Sequence, residues 1–247
     1  MFRLVRVNGM TWTFFYTAER LINKRFFHKR AELEIQKNLP GFNTTAYNYK
    51  EWANYNWSKG GEEWSDSEPW KKSLREEVLL TYIKPGFTVL EIGPGAGRWS
   101  LALASISKKL ILVDLTENAI NMCKIKLREF SNCVYHQNDG RSLSFLDNGS
   151  IHYVWSYDVF VHISPLDTKA YLTALHRVLV SGGIAVIHHP AAGGLQGGFR
   201  SSVTNELFCA YVKALQFQII RQITQWGPSN EFTLSDYSDI ITVFRKC

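Results

Sequence analysis

The stretch Val89 to Ser100, VLEIGPGAGRWS, limits the fold more than any other: an apolar, β-branched run over Thr88 to Ile92 stops at glycines 93, 95 and 97 and passes into a helical pattern from Arg98 to Ile106. Such a run reads as a buried central strand. The glycines let the chain turn sharply and approach a ligand that a Cβ would hold off, and the following helix points its amino end at the same place. Dinucleotide-binding chains open in a similar way. Here Arg98 stands where their third glycine would pack, and Glu91 puts a carboxylate where a diphosphate would be repelled but a cationic ligand favoured.

The rest of the chain repeats strand and helix. A helix is expected over 71–82, punctuated by Lys84-Pro85-Gly86, then strands over Lys109 to Leu115, Cys133 to Gln137, Ser150 to Tyr157 and Ile184 to His188. Helices follow a Thr116 cap, run from an Asp167 cap to Val180, and cover Asn205 to Leu215; Gln218 to Trp226 and Asp239 to Phe244 read as a final antiparallel pair. Polar residues gather at the carboxyl ends of the strands, as a doubly wound α/β sheet requires. The expected fold is a Rossmann-like, seven-stranded sheet with its last strand antiparallel, over 71–247, behind an N-terminal appendage, 1–70.

That appendage carries most of the charge. Up to Leu39 there are eight Lys or Arg against three Glu, which is +5 of the chain's net +6. An amphipathic helix is expected over Thr17 to Lys37, ended by Pro40-Gly41. Either it packs on its own domain, or residues 1–39 touch an anionic membrane surface or an acidic partner. The uncharged run Val7 to Ala18 is too short and too rich in Thr to span a bilayer. No basic stripe crosses the remainder, so a nucleic-acid partner is not expected. Four scattered cysteines without a CxxC pair suit reduced thiols in a cytoplasmic protein, peripheral to the inner membrane if the appendage binds there. Between Tyr47 and Trp70 seven aromatic rings lie among glycines and acids. They read as a folded cover, packing the appendage on the core or closing WSKGGEEW, Trp57 to Trp64, over a ligand.

With Glu91, Gly93, Gly95 and Gly97 in an E-x-G-x-G-x-G pattern, Asp114 ending the second strand and Asp139 after the third, the chain resembles the class I S-adenosylmethionine-dependent methyltransferases over about 74–246. The resemblance implies S-adenosylmethionine as cofactor. Glu91 and the glycines would shape its methionine and ribose end, Asp114 would bind the ribose hydroxyls and Asp139 the adenine amino group, with Gly140, Trp57 and Tyr157 beside them. Members with a similar N-terminal segment and a His-His pair after the fifth strand resemble saccharide and natural-product O-methyltransferases, so a small-molecule or saccharide hydroxyl is the expected acceptor; a lipid or quinone acceptor at a membrane, or a non-catalytic cofactor-binding protein, are the alternatives.

A hydroxyl needs a base or a cation to weaken its proton. The candidates are Asp158, His162 and His188, and each has a bland reading: His162 can be structural and Asp158 can cap a turn. His188 and His189 face opposite ways if their strand continues. If it ends before them, they could converge with Asp158 on Mg²⁺. The glycine-rich segment Pro190 to Ser202, with Gly193, Gly194, Gly197 and Gly198, reads as a lid on the acceptor side; His189, Arg200 and Trp226 are candidate acceptor contacts. The oligomeric state is not legible.

Overall fold

The computed structural model describes residues 2–197, 199–234 and 237–247, with nothing of the Phe2 side chain; Gly198 of the expected lid lies outside these residues. Strands β1 (Thr88–Ile92), β2 (Lys109–Asp114), β3 (Cys133–Gln137), β4 (Ile151–Ser156), β5 (Leu179–Pro190), β6 (Phe217–Ile223) and β9 (Asp239–Lys246) form one sheet in the order β3-β2-β1-β4-β5-β9-β6. The first five are parallel, and β9 runs antiparallel to both β5 and β6. The expected doubly wound architecture is the observed one. Chain order reverses between β1 and β4, and there the carboxyl ends open a crevice.

Successive side chains of the central strands enter opposite layers. Leu90 and Ile92 pack with Phe160, Leu172 and Phe208 on one face, and Val89 with Leu79, Leu103 and Leu112 on the other. Burying each such side chain contributes about 1.5–3 kcal/mol. The helices are α1 (Phe2–Leu21), α2 (Arg25–Lys37), α3 (Thr45–Ala53), α4 (Glu68–Ser73), α5 (Leu80–Tyr82), α6 (Ser100–Ile106), α7 (Glu117–Lys126), α8 (Pro165–Val178) and α9 (Asn205–Ala214).

Several boundaries differ from the sequence expectation for local reasons. The single helix over Thr17 to Lys37 is two, because the Asn23 side-chain oxygen accepts the Arg25 amide (2.8 Å) and diverts the chain. α1 and α2 are joined by a buried cluster in which Arg30 pairs with Glu34 (2.6 Å) and Glu19 (2.9 Å), while the Trp12 indole N–H donates to Glu34. The helix over 71–82 starts at Glu68, where Ser67 Oγ accepts the Trp70 amide, and widens into a π-helical segment, Leu74–Leu79. Ser164, not Asp167, caps α8, with Pro165 in its first turn. Thr116 does not cap α7 with its side chain; its N–H and Oγ1 both donate to Asp114. β6 ends at Ile223, and Trp226 belongs to a two-residue strand, β7 (Gln225–Trp226), paired with β8 (Phe232–Thr233).

The first seventy residues are tied to the carboxyl edge of the sheet. Asn48 Nδ2 donates to the His162 carbonyl (2.6 Å), Asn43 Nδ2 to that of Phe199 (3.0 Å), and Thr45 Oγ1 to the Asp167 carboxylate (3.0 Å). Ile35 of α2 sits so near Gly193 that a Cβ there would come within 2.7 Å of it. No helix among the described residues is long and apolar enough to cross a membrane.

Candidate functional site

A cavity of about 780 Å³ occupies the crevice, floored by Gly93 to Ala96 and roofed by the aromatic cover. The turn after β1 is forced into left-handed backbone at Gly93 (φ 68) and Gly95 (φ 56), which suits glycine. A Cβ on Gly95 would stand 2.8 Å from the Trp57 ring, so the cover lies directly on the loop. Trp57 packs against Trp52, Tyr55 and Trp64 with ring centroids 4.8–6.0 Å apart. The rings pack the appendage down and, in doing so, wall the cavity.

Asp114 lies in that wall at the end of β2. Its Oδ1 accepts the Thr116 N–H (2.9 Å) and Oγ1–H (3.0 Å), and Oδ2 stands 3.4 Å from the Gly95 amide nitrogen. Burial raises its pKa to about 6 against the pull of those bonds, leaving it ionised at neutral pH. Gly140 is in the wall too, backed by Thr45 and Leu115.

The resemblance assigns three further residues to the cofactor that do not reach the cavity. Asp139 is exposed, and its Oδ1 accepts the amides of Arg141 (3.0 Å) and Ser142 (2.7 Å), fixing a turn. Gly97 faces Lys126 and Ser100. Glu91 is 2% exposed behind the loop, where it accepts the Ser100 hydroxyl (2.6 Å), and burial raises its pKa to about 7. A carboxylate so raised costs stability when ionised. Glu91→Gln is therefore expected to stabilise the protein by about 2–3 kcal/mol at pH 8, at roughly 1.4 kcal/mol per pKa unit. The gain shrinks as pH falls through about 7 and is gone below about 4.5, where the wild-type group is neutral folded and unfolded. Urea unfolding at pH 8 and pH 5 checks this; a variant less stable at pH 8 would show that the ion is better held than its burial implies.

At the other end of the cavity, Tyr157, Asp158, His162 and Arg200 share the wall. Asp158 adopts φ 60, a strained position for a residue with a side chain. Its Oδ2 accepts from Arg98 Nη2 (2.5 Å), and its Oδ1 lies 3.3 Å from His188 Nδ1. Burial opposes its charge, but Arg98 and His188 outweigh this and hold the carboxyl well below the usual range. His162 Nδ1 lies 2.8 Å from the Phe199 carbonyl oxygen, which can only accept. The proton is thus assigned to Nδ1, leaving the Nε2 lone pair available. Burial, aided by the Arg200 cation, lowers its pKa to about 4, so the ring is neutral at physiological pH.

The other candidates fall elsewhere. β5 continues through Pro190, so His188 and His189 enter opposite layers. His188, 1% exposed, lies beneath the cavity wall between Asp158 and Asp239 (3.5 Å) and stacks on Tyr157. It can position Asp158, but it is not placed to touch an acceptor. His189 stacks on Phe208 and bonds the Pro190 carbonyl and Thr242 hydroxyl, which makes it a core residue. The Mg²⁺ set of Asp158, His188 and His189 therefore cannot converge, and among the described residues no group of three or more His, Cys, Asp or Glu is arranged to hold a metal ion. Trp226 packs on Trp70 and Phe232 away from the cavity. Arg200 reaches the wall, where Asp239 holds it (2.9 Å) over the Tyr237 ring.

Sequence reasoning overlooks Glu63 and underuses Arg98. Both line the cavity and each keeps a buried polar atom without a hydrogen bond, Glu63 Oε2 and Arg98 Nη1. The signals were the acid inside WSKGGEEW and the cation one residue beyond the last loop glycine.

Residues 89–183 match the family model described as a methyltransferase domain. A Mycobacterium leprae protein whose O-methyltransferase name is provisional is 32% identical over 125 residues, covering 48% of this chain and 54% of that protein. One from Mycobacterium avium is 30% identical over 129 residues, covering 48% and 55%. The chain thus spans about half the length of the curated relatives it matches. Among solved structures, a Pyrococcus horikoshii protein is similar with a TM-score of 0.62 at 18% identity, over 78% of this chain and all of that one. An S-adenosylmethionine-dependent methyltransferase from Aquifex aeolicus has a TM-score of 0.58 at 16% identity, over 78% and 98%; likeness at such identity shows the fold. Residues 89–183 thus match a methyltransferase domain, on a fold shared with class I S-adenosylmethionine-dependent methyltransferases. The residues present fit the cofactor that such a domain implies: an ionised carboxylate at the end of β2, a glycine turn in the cavity floor, and an acidic and a basic side chain that each keep one buried atom unbonded.

Proposed function

We propose that the protein transfers the methyl group of S-adenosylmethionine to a hydroxyl of a saccharide. The observation that carries this is the His162 imidazole, neutral and with Nε2 unbonded among the described residues, in the same cavity as the glycine loop and Asp114. When bound, the cofactor supplies an electrophilic methyl on a sulfonium. Asp114 accepts the ribose hydroxyls, and Gly93 and Gly95 let the chain pass close beneath. His162 takes the acceptor hydroxyl's proton at Nε2, while Nδ1 stays anchored to the Phe199 carbonyl. The aromatic cover keeps water from the transfer site. The provisional names of the mycobacterial relatives support transfer to oxygen. Aromatic rings (Tyr47, Trp52, Tyr237) beside polar groups (Glu51, Arg200) support a polyhydroxylated acceptor, which offers C–H faces to rings and hydroxyls to polar atoms.

A lipid-phase acceptor is the second reading, favoured by one feature. Met10, Phe14 and Leu21 lie on one side of α1 at helical spacing, 84%, 60% and 79% exposed, beside the cations of the appendage. One experiment separates the two: methyl-labelled S-adenosylmethionine is offered with free and nucleotide-linked sugars and glycans, and in parallel with anionic vesicles carrying a quinol. Label on a sugar hydroxyl is expected. Label only in the vesicle fraction would replace the saccharide reading, and no label from a folded, cofactor-binding protein would remove the activity.

A further inference from the structure

The geometry points to a subsite for a zwitterionic α-amino acid group, in which Glu63 of the aromatic cover takes the ammonium and Arg98 takes the carboxylate. The inference rests on the proposed cofactor, whose methionine end carries such a group, and it assigns part of the cofactor site to a segment outside the matched domain.

Three observations carry it. The first is a pair of unfilled valences. Glu63 Oε1 accepts the Tyr55 hydroxyl (2.7 Å), but Oε2 is buried without a partner; Arg98 Nη2 binds Asp158, but Nη1 is buried without one. Buried polar atoms are nearly always satisfied, and a bare carboxylate oxygen or guanidinium N–H is among the costliest exceptions. The second is that the two side chains line the same cavity yet turn to other partners, Glu63 to Tyr55 and Arg98 to Asp158, and form no ion pair with each other. A cation alone would satisfy Glu63 and an anion alone Arg98, whereas one ligand with both signs on neighbouring atoms satisfies both. The third is how they are held. Arg98 is 8% exposed and lies over the Trp99 and Tyr157 rings, so its guanidinium has little freedom to turn away. Gly61, in the turn before Glu63, has its Cα so close to Arg98 that a Cβ would stand 3.7 Å from the Arg98 Cβ, which fixes the cover against the loop.

Burial opposes ionisation of Glu63, but the Tyr55 bond, its own backbone amide and the Lys59 and Arg98 cations outweigh it and lower its pKa, so the group is an anion when an ammonium arrives. The consequence is selectivity. Ligands with adenosine and sulfur but no amino acid head would leave Glu63 Oε2 and Arg98 Nη1 without partners, so the subsite distinguishes the intact cofactor from its fragments.

Isothermal titration tests this with three probes: S-adenosylhomocysteine, its decarboxylated form, and 5′-methylthioadenosine, which lacks the whole head. The wild-type protein is expected to bind the first about 10- to 100-fold more tightly than either of the others, the range of a lost charge-assisted hydrogen bond. Glu63→Gln is expected to weaken S-adenosylhomocysteine about tenfold while leaving 5′-methylthioadenosine within about twofold, which removes most of the preference. Equal wild-type affinity for all three, or a variant that weakens S-adenosylhomocysteine and 5′-methylthioadenosine alike, overturns the subsite while leaving the cofactor reading intact. Binding of none of the three by a folded protein overturns both. Should Glu63→Gln fail to fold, Arg98→Lys takes its place: a preference for S-adenosylhomocysteine over 5′-methylthioadenosine reduced about tenfold supports the subsite, and one that stays at the wild-type value overturns it.

Discussion

Replacing His162 by Ala is expected to lower kcat about 10²–10⁴-fold on the acceptor found by labelling, the usual contribution of a positioned general base, with S-adenosylhomocysteine affinity changed less than twofold. Nδ1 is committed to the Phe199 carbonyl, which fixes the tautomer and leaves Nε2 as the basic atom, in a ring held between Trp52 and Phe199. His162→Asn separates proton transfer from scaffolding, because its amide can still donate to that carbonyl but supplies no imidazole. Both variants should lose turnover alike. The pH profile gives an independent check: burial and the nearby Arg200 lower the pKa to about 4, so with saturating cofactor kcat should stay flat from pH 8 to pH 5, with no falling limb at the ordinary histidine value. Activity above a tenth of wild type in His162→Asn, or an acid limb near 6.5, would assign His162 to structure alone.

The fold was legible because its determinants are local and periodic. Apolar, β-branched runs mark β1 and β2, and the turn residues between the later segments leave little choice of order. What sequence could not give was which side of a strand end each polar residue takes. His188 and His189 are adjacent, and one more strand residue or one fewer decides whether they diverge or converge; β5 runs on to Pro190 because β9 pairs with it through Asp239. Asp139 follows the same logic. It stands in the motif position, but it is exposed outside the cavity wall, with its Oδ1 held by two backbone amides. Glu63 and Arg98, 35 residues apart in the chain, line one cavity only because the cover folds back on the glycine loop. No spacing rule announces such a juxtaposition.

Asp114 carries the second large effect, and its test is one of binding. Asp114→Ala is expected to weaken S-adenosylhomocysteine by about 1.5–3 kcal/mol, roughly 10- to 150-fold, since the ribose hydroxyls lose a charged acceptor. Because burial has raised the wild-type pKa to about 6, the sign of the pH dependence is fixed. Above that value the carboxylate is ionised and affinity is level. Below it a proton must leave before the hydroxyls can bind, so affinity falls towards tenfold per pH unit and binding at pH 5.5 releases a proton. Titration in two buffers of different ionisation enthalpy reads that proton directly. Asp114→Asn keeps the shape and the Thr116 contacts available to its carbonyl oxygen, but it has no proton to lose in this range, so its weaker affinity should be level from pH 5 to pH 8. A variant with the wild-type slope would move the titrating group elsewhere, and undiminished affinity in Asp114→Ala would remove Asp114 from the ribose. Since kcat at saturation reports His162 and affinity reports Asp114, acid should raise the cofactor KM near pH 6 while leaving kcat unchanged, a separation that a single shared titrating group could not produce.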